Sequence, residues 1–363
     1  MQFGCQIGKD RADLFSLAEQ VAAIEGGVLD SACLQSLTKA PDNDWAEAER
    51  MLDRAALVSH AGSYFETKSL LDVWSPLVVE QRVPRPEETV DVLFVEPVYC
   101  DGQFGVLKLE DLPRPRRIVV LDTALVGPDY DVSPWLRADA GDVACPLVIA
   151  FSSGLKLDQA GLELANVGMI RIFARGAARQ TASALATDLK RIRGLTGSGL
   201  TLDEMSALSA PWFLDRAYAG RYTRTLFDNN AALASSVGQN SKIFAERCHP
   251  SLANPGTVAP FCALQLRGNP HIDAYHRLLD IVERAAAQRD LVITKGGSFG
   301  FRGHRFELIE PEPAQGQPFL RVAMGWRGGY SCTGLCNLFA ELATYPSFAD
   351  LAKRMGRLSR VIA

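Results

Sequence analysis

Four short apolar runs set the strongest limit on how this chain can fold: "ETVDVLFVEPVY", "RRIVVLDTALVGP", "ACPLVIAFSSG" and "NVGMIRIFA". Each is β-rich and bounded by polar or turn residues, as strands are. Strands with one wet face alternate polar and apolar residues. These runs are nearly continuous, as expected of a sheet covered on both faces. Helical segments precede and separate some of them, which predicts an α/β core with a mainly parallel sheet.

Upstream, "DLFSLAEQVAAIEGG" and "DNDWAEAERMLDRAALV" carry helical spacing, the second with Asp42 to Asp44 as a capping region. Downstream, "TASALATDLKRIRGL" and "LDEMSALSAPWFLDRAYAGRYTRTLFDNNAALASSVGQ" read as long helical stretches, the latter a bridge to a second domain. That domain starts near residue 245. It holds "VAPFCALQLRG", the helix "DAYHRLLDIVERAAAQ", "LVITKGGSFG", "PFLRVAMGW" and one last helix, "GLCNLFAELATYPSFADLAKRMGRL". The expected division is an N-terminal segment over 1–35, a large domain over 36–205, and a bridging helix with a smaller α+β domain over 206–363. A chain of 363 residues is long for one core.

Composition excludes several classes. The net charge is −4, with no basic block to favour nucleic acid or an anionic membrane. No apolar run reaches the roughly 20 residues of a membrane span. The first residues, "MQFGCQIGKDRADLF", lack the pattern of a secretory signal. The eight cysteines are scattered without a CxxC pair, and five histidines offer no zinc spacing. Such thiols read as reduced, small core residues of a cytoplasmic protein.

In open α/β sheets, ligands bind beyond the carboxyl ends of the strands. Asp122 closes "RRIVVLD", and Lys156 follows "PLVIAFSSGL". A carboxylate and a lysine at such ends suit pyridoxal phosphate. Its aldehyde forms a Schiff base with an amine, and its ring nitrogen needs an acidic partner to stay protonated. Ser152 and Ser153 could supply hydroxyls to its phosphate. Spacing alone equally allows Asp122 as a turn residue and Lys156 as a surface lysine.

In its order of motifs the chain resembles the Cys/Met-metabolism family of pyridoxal phosphate enzymes, which includes cystathionine γ-synthase, cystathionine γ-lyase and methionine γ-lyase. "VVLDTALVGPDYDVSPWL" is similar to that family's strand ending in Asp-Asn-Thr, and "LVIAFSSGLK" to the strand ending in Ser-x-Thr-Lys. "VAAIEGG" resembles its Leu-Glu-Gly-Gly helix end. "YFETKSLL" resembles its Tyr-Gly-Gly-Thr segment, "GGSFG" its Ser-Leu-Gly turn and "FLRVAMG" its Arg-x-Ser-x-Gly. The resemblance implies fold type I, the aspartate aminotransferase-like fold. It implies pyridoxal 5'-phosphate on Lys156, with Asp122 at the ring nitrogen. Tyr64 would stack on the ring and transfer protons, while Arg321 and Ser298 hold the substrate carboxylate. "LDSACL" offers Ser31 and Ala32 to the phosphate. A homodimer or homotetramer and an amino acid substrate follow from the same likeness.

Departures mark a divergent member. Leu155 stands where the family has a phosphate-binding threonine, and "EPVYCDG" lacks the family's asparagine, with Tyr99 or Cys100 nearby. Lys9 or Arg11 would have to replace an N-terminal arginine. The reaction implied is γ-elimination from an L-amino acid. One branch of the family expels halide from a γ-chlorinated allylic substrate to leave a terminal alkyne. Conventional γ-lyase or γ-replacement chemistry, transamination, and cofactor binding without turnover stay open. Arg321 lies within an apolar run, so it needs a carboxylate, either internal or from substrate. "RGHR", residues 302–305, reads as a solvated basic loop or an element at the site entrance.

Overall fold

The computed structural model describes residues 2–7, 57–59, 79–81, 89–112, 114–136, 147–176, 178–196, 199–209, 216–238, 241–311 and 317–358. In chain order the strands are β1 (Gln2–Ile7), β2 (Leu57–Ser59), β3 (Val79–Gln81), β4 (Thr89–Val95), β5 (Val98–Cys100), β6 (Phe104–Val106), β7 (Arg114–Asp122), β8 (Leu147–Ser153), β9 (Gly168–Ala174), β10 (Cys262–Leu264), β11 (Thr294–Lys295), β12 (Arg305–Ile309) and β13 (Phe319–Ala323). The helices are α1 (Ser133–Leu136), α2 (Ala178–Thr196), α3 (Leu202–Leu208), α4 (Arg216–Val237), α5 (Ile272–Ala287), α6 (Tyr330–Ala343) and α7 (Phe348–Leu358).

The chain divides into two compact units. The first comprises Met1–Pro97, Leu107–Leu155 and Glu163–Phe213. Its seven-stranded sheet runs β1-β9-β8-β7-β4-β2-β3. The pairs among β3, β2, β4, β7 and β8 are parallel, whereas β9 is antiparallel to both β8 and β1. The four apolar runs supply β4, β7, β8 and β9, and the sheet is mainly parallel. Val119, Leu121, Val148 and Ala150 pack with Trp135 of α1 on one face. Ile118, Val120, Ile149 and Phe151, pointing the other way, are also buried. Both faces are thus covered, and that is why the runs do not alternate. The β1 strand has no counterpart among the apolar runs.

The second unit comprises Val98–Val106, Lys156–Leu162 and Leu214–Ala363. Its four-stranded sheet has the order β10-β13-β12-β11, and β5 pairs with β6 in a separate hairpin. One face of the larger sheet presents Cys262, Leu264, Phe306, Leu320 and Val322 to α5 and α6, forming the main core with Leu278, Val282, Leu335 and Phe339. Alternation in β13 puts Arg321 on the other face.

One helical reading needs correction. The last helix is two, α6 and α7, separated at 344–347: Pro346 lacks the N–H a continuing helix needs. Ser347 then opens α7, its hydroxyl accepting from Asp350 N–H at 3.1 Å. The stretch read as helical and as a bridge supplies α3 and α4, and residues 210–215 between them lie outside the described residues. The helices read upstream, "DLFSLAEQVAAIEGG" and "DNDWAEAERMLDRAALV", lie outside the described residues apart from Leu57 and Val58. Among the described residues no helix is long and apolar enough to cross a membrane. Cys248, Cys262 and Cys332 are free and buried.

Candidate functional site

In the first unit, Asp122 is the last residue of β7 and faces Phe151 of β8 in register. Ser152 and Ser153 follow Phe151, so the parallel register brings Asp122 and both serines to one end of the sheet. Asp122 is 5% exposed. Its Oδ1 accepts a hydrogen bond from Ala124 N–H at 2.8 Å, the turn role that spacing allowed. Its other oxygen carries no hydrogen bond among the described residues. Thr123 fixes the turn by donating its hydroxyl to Phe151 O at 3.0 Å, while Arg171 Nη2 donates to the same hydroxyl at 3.3 Å.

Ser152 is 4% exposed, and among the described residues its Oγ has no hydrogen-bond partner. Buried hydroxyls are nearly always satisfied, and an orphan costs about 1–3 kcal/mol. Gly154 then closes the strand by donating to Val167 O at 2.7 Å.

Lys156 belongs to the second unit, and its surroundings there are specific. Its Nζ lies 4.1 Å from the centre of the Phe299 ring. The segment that carries it turns tightly: Ala160 N–H donates to Leu157 O and Gly161 N–H to Lys156 O. Two glycines make the close approach to 300–302 possible. Gly161 and Gly300 both have positive φ, +67° and +85°. A β carbon on Gly300 would lie 3.1 Å from Lys156 Cβ, and one on Gly161 would collide with Tyr222 Oη. Tyr222 donates to Gly300 O at 2.8 Å, and burial raises its pKa.

Arg302 reaches back to the same segment, donating from Nε to Ala160 O at 3.2 Å and from Nη2 to Tyr218 Oη at 3.0 Å. His304 is buried and accepts from Gly325 N–H, and Arg305 lies 3.5 Å from the centre of the Phe301 ring. "RGHR" is therefore a packed segment, corrected from the solvated-loop reading, because its cations have rings and carbonyls to meet.

Arg321 is 8% exposed. Its Cζ lies 5.4 Å from the Phe261 ring centre and 5.9 Å from that of Phe299. The carboxylate it meets is internal. Glu307 stands directly opposite it across the antiparallel β12–β13 pair, where facing side chains share one side of the sheet. Glu307 Oε1 accepts from Arg321 Nε at 2.6 Å and also from Nη2. Ser298 N–H donates to the same oxygen at 2.8 Å, holding Ser298 at φ +70°.

The second unit thus assembles Lys156, Ser298 and Arg321 around Phe299, with Glu307 beneath. Phe299 and Glu307 were not among the residues singled out from sequence. Phe299 is hidden in a glycine-rich turn, while the alternation in "RFELI" could have marked Glu307 as a strand residue. Tyr64, Ser31, Ala32, Lys9 and Arg11 lie outside the described residues.

No protein-family model matches the chain, and no curated protein matches its sequence. Solved structures do match. An apo methionine gamma lyase from Micromonospora echinospora aligns at 16% identity and TM-score 0.51, covering 94% of this chain and 81% of that one. An O-acetylhomoserine sulfhydrylase of Wolinella succinogenes aligns at 16% identity and TM-score 0.52, covering 93% and 91%. A structure of SPT with PLP aligns at 11% identity and TM-score 0.51, covering 93% and 71%. The likeness is one of fold: the chain has the fold type I architecture of pyridoxal phosphate-dependent enzymes.

Proposed function

We propose that the chain binds pyridoxal 5'-phosphate through Lys156 and catalyses γ-elimination from an L-amino acid. One observation carries the reading: a buried Asp122, whose second oxygen carries no hydrogen bond among the described residues, ends β7 beside Ser153, which alternation puts on the same face of the sheet. A polar ligand at that end would meet both, whereas Ser152 Oγ, without a partner among the described residues, lies on the opposite face with Ala150. The donor set fits the cofactor, with a carboxylate for the ring nitrogen, serine hydroxyls for the phosphate and an amine for the aldehyde. The fold type I architecture is consistent with it.

When bound, pyridoxal phosphate supplies an electron sink for charge developing at the substrate α carbon. The protein's own groups then have distinct tasks. Asp122 would accept from the ring nitrogen and keep its proton there. Ser153 would donate to the phosphate, with Ser152, Ser31 and Ala32 as further contributors. Lys156 is the base for the α proton, its amine placed against the apolar Phe299 ring. Arg321 and Ser298 hold the substrate carboxylate, and Tyr64 gives a proton to the group leaving the γ carbon. A thiol, an activated hydroxyl or a halide would suit such an acid. Halide loss from an allylic substrate would give a terminal alkyne.

The test is the visible absorbance of purified protein after addition of pyridoxal phosphate. A yellow band that is missing in Lys156→Ala supports the proposal, and a colourless wild-type protein overturns it. Ammonia and a keto acid would then identify elimination, and a retained amino group replacement or alkyne formation. Amino transfer to a keto acid would identify transamination.

A further inference from the structure

We propose that Glu307 is a specificity-determining residue: it is a resident carboxylate on Arg321, and a substrate carboxylate binds by displacing it. This rests on Arg321 being the substrate clamp, as in the reading above.

The geometry is that of a filled carboxylate site. The N–H of Ser298, the Nε of Arg321 and its Nη2 all converge on one oxygen, Glu307 Oε1. These are the donors that an incoming carboxylate would require. Strand register favours the pairing, since residues 307 and 321 face each other directly. A guanidinium with its charge already matched attracts a second anion weakly, and an attached carboxylate competes at high effective concentration.

The two partners are not equally held. The Arg321 side chain is 10% exposed and the Glu307 side chain 20%. Arg321 lies near the Phe261 and Phe299 rings, whereas Glu307 can rotate toward water about its own side-chain bonds. Removing Glu307 without replacement would leave a buried cation uncompensated. Exchange for another carboxylate would not. The pair therefore admits ligands that bring a carboxylate and resists neutral analogues. Ser298 is coupled to the exchange, because its left-handed backbone is held by the bond to Glu307.

The experiment is calorimetric titration of the full chain with L-norleucine, which has no leaving group, and with L-norleucinamide, which has no carboxylate. Glu307→Gln keeps the shape but removes the charge, so L-norleucine should bind about tenfold tighter, with the amide unchanged. Glu307→Asp, which keeps the charge but shortens the reach, gives a second reading in the same direction should Glu307→Gln fail to fold. Unchanged or weaker L-norleucine binding in a folded variant would overturn the proposal and make Glu307 a positioning residue for Arg321. So would absence of carboxylate-dependent binding in every variant. Cofactor loading, read as visible absorbance in the same samples, is a separate measurement. Tightening without a yellow band removes the pyridoxal phosphate reading alone, and a yellow band without tightening removes the Glu307 proposal alone.

Discussion

The Lys156 ammonium lies 4.1 Å from the centre of the Phe299 ring, within the range of a cation–π contact. Phe299 is 3% exposed and also packs on Phe261, their centroids 5.4 Å apart. Replacing it by leucine removes the ring face from the amine and trims the core. Phe299→Leu should cost about 1–3 kcal/mol of stability. It should also speed acetylation of Lys156 by an amine reagent, followed by peptide mass spectrometry. An unchanged labelling rate would show that the ring does not cover the amine.

Asp122 separates its structural role from its charge. An asparagine there keeps an oxygen for the Ala124 N–H, so the turn should survive. Asp122→Asn should therefore melt within about 1 kcal/mol of the wild type, yet bind pyridoxal phosphate more weakly in an absorbance titration. Equal loss of folding and of binding would make the residue purely structural.

Gly300 tests the approach of the two segments that flank Lys156. Alanine there meets both a φ of +85° and a contact of 3.1 Å with Lys156 Cβ. Gly300→Ala should lose about 1–3 kcal/mol in urea unfolding. Alanine at Gly303, which has nothing within 4 Å of the added carbon, is the control and should cost far less.

His249 makes stability depend on pH. Its Nδ1 accepts from Ser251 N–H, and its Nε2 lies 3.2 Å from Ala259 O. Burial lowers its pKa from 6.5 to about 4, against a smaller upward effect of the Ala259 bond. The unfolded chain then binds the extra proton first as pH falls, so stability drops between pH 6.5 and about 4. The loss over that window is about 3 kcal/mol. Burial lowers His304 as well, which adds a slope of the same sign. Denaturation of His249→Gln across this window should show a shallower decline than the wild type.

The sheet core was readable because burial on both faces leaves a local trace: runs such as "PLVIAF" carry their own evidence. That Asp122 and Ser153 close neighbouring strands follows from the same runs. Other features depend on partners distant in sequence. β1, "QFGCQI", is a strand because β9 lies beside it some 171 residues on, by the register of Gln2 with Phe173. Glu307 matters through its register with Arg321. An arginine in an apolar strand announced the need for a carboxylate, but not which one would meet it. Lys156 was visible as a lysine after a turn, while its contact with Phe299 depends on the close approach that Gly161 and Gly300 allow.

Neither compact unit is a continuous length of chain. The second takes Val98–Val106 and Lys156–Leu162 from within the stretch that otherwise builds the first. No single cut in the gene would therefore release it whole. A fragment beginning at Leu214 would lose Phe104, which packs on Phe261, and the segment that Arg302 and Tyr222 grip. Such an interleaved unit cannot be shuffled between proteins as a cassette, so inheritance should keep the pieces together and let them diverge in place.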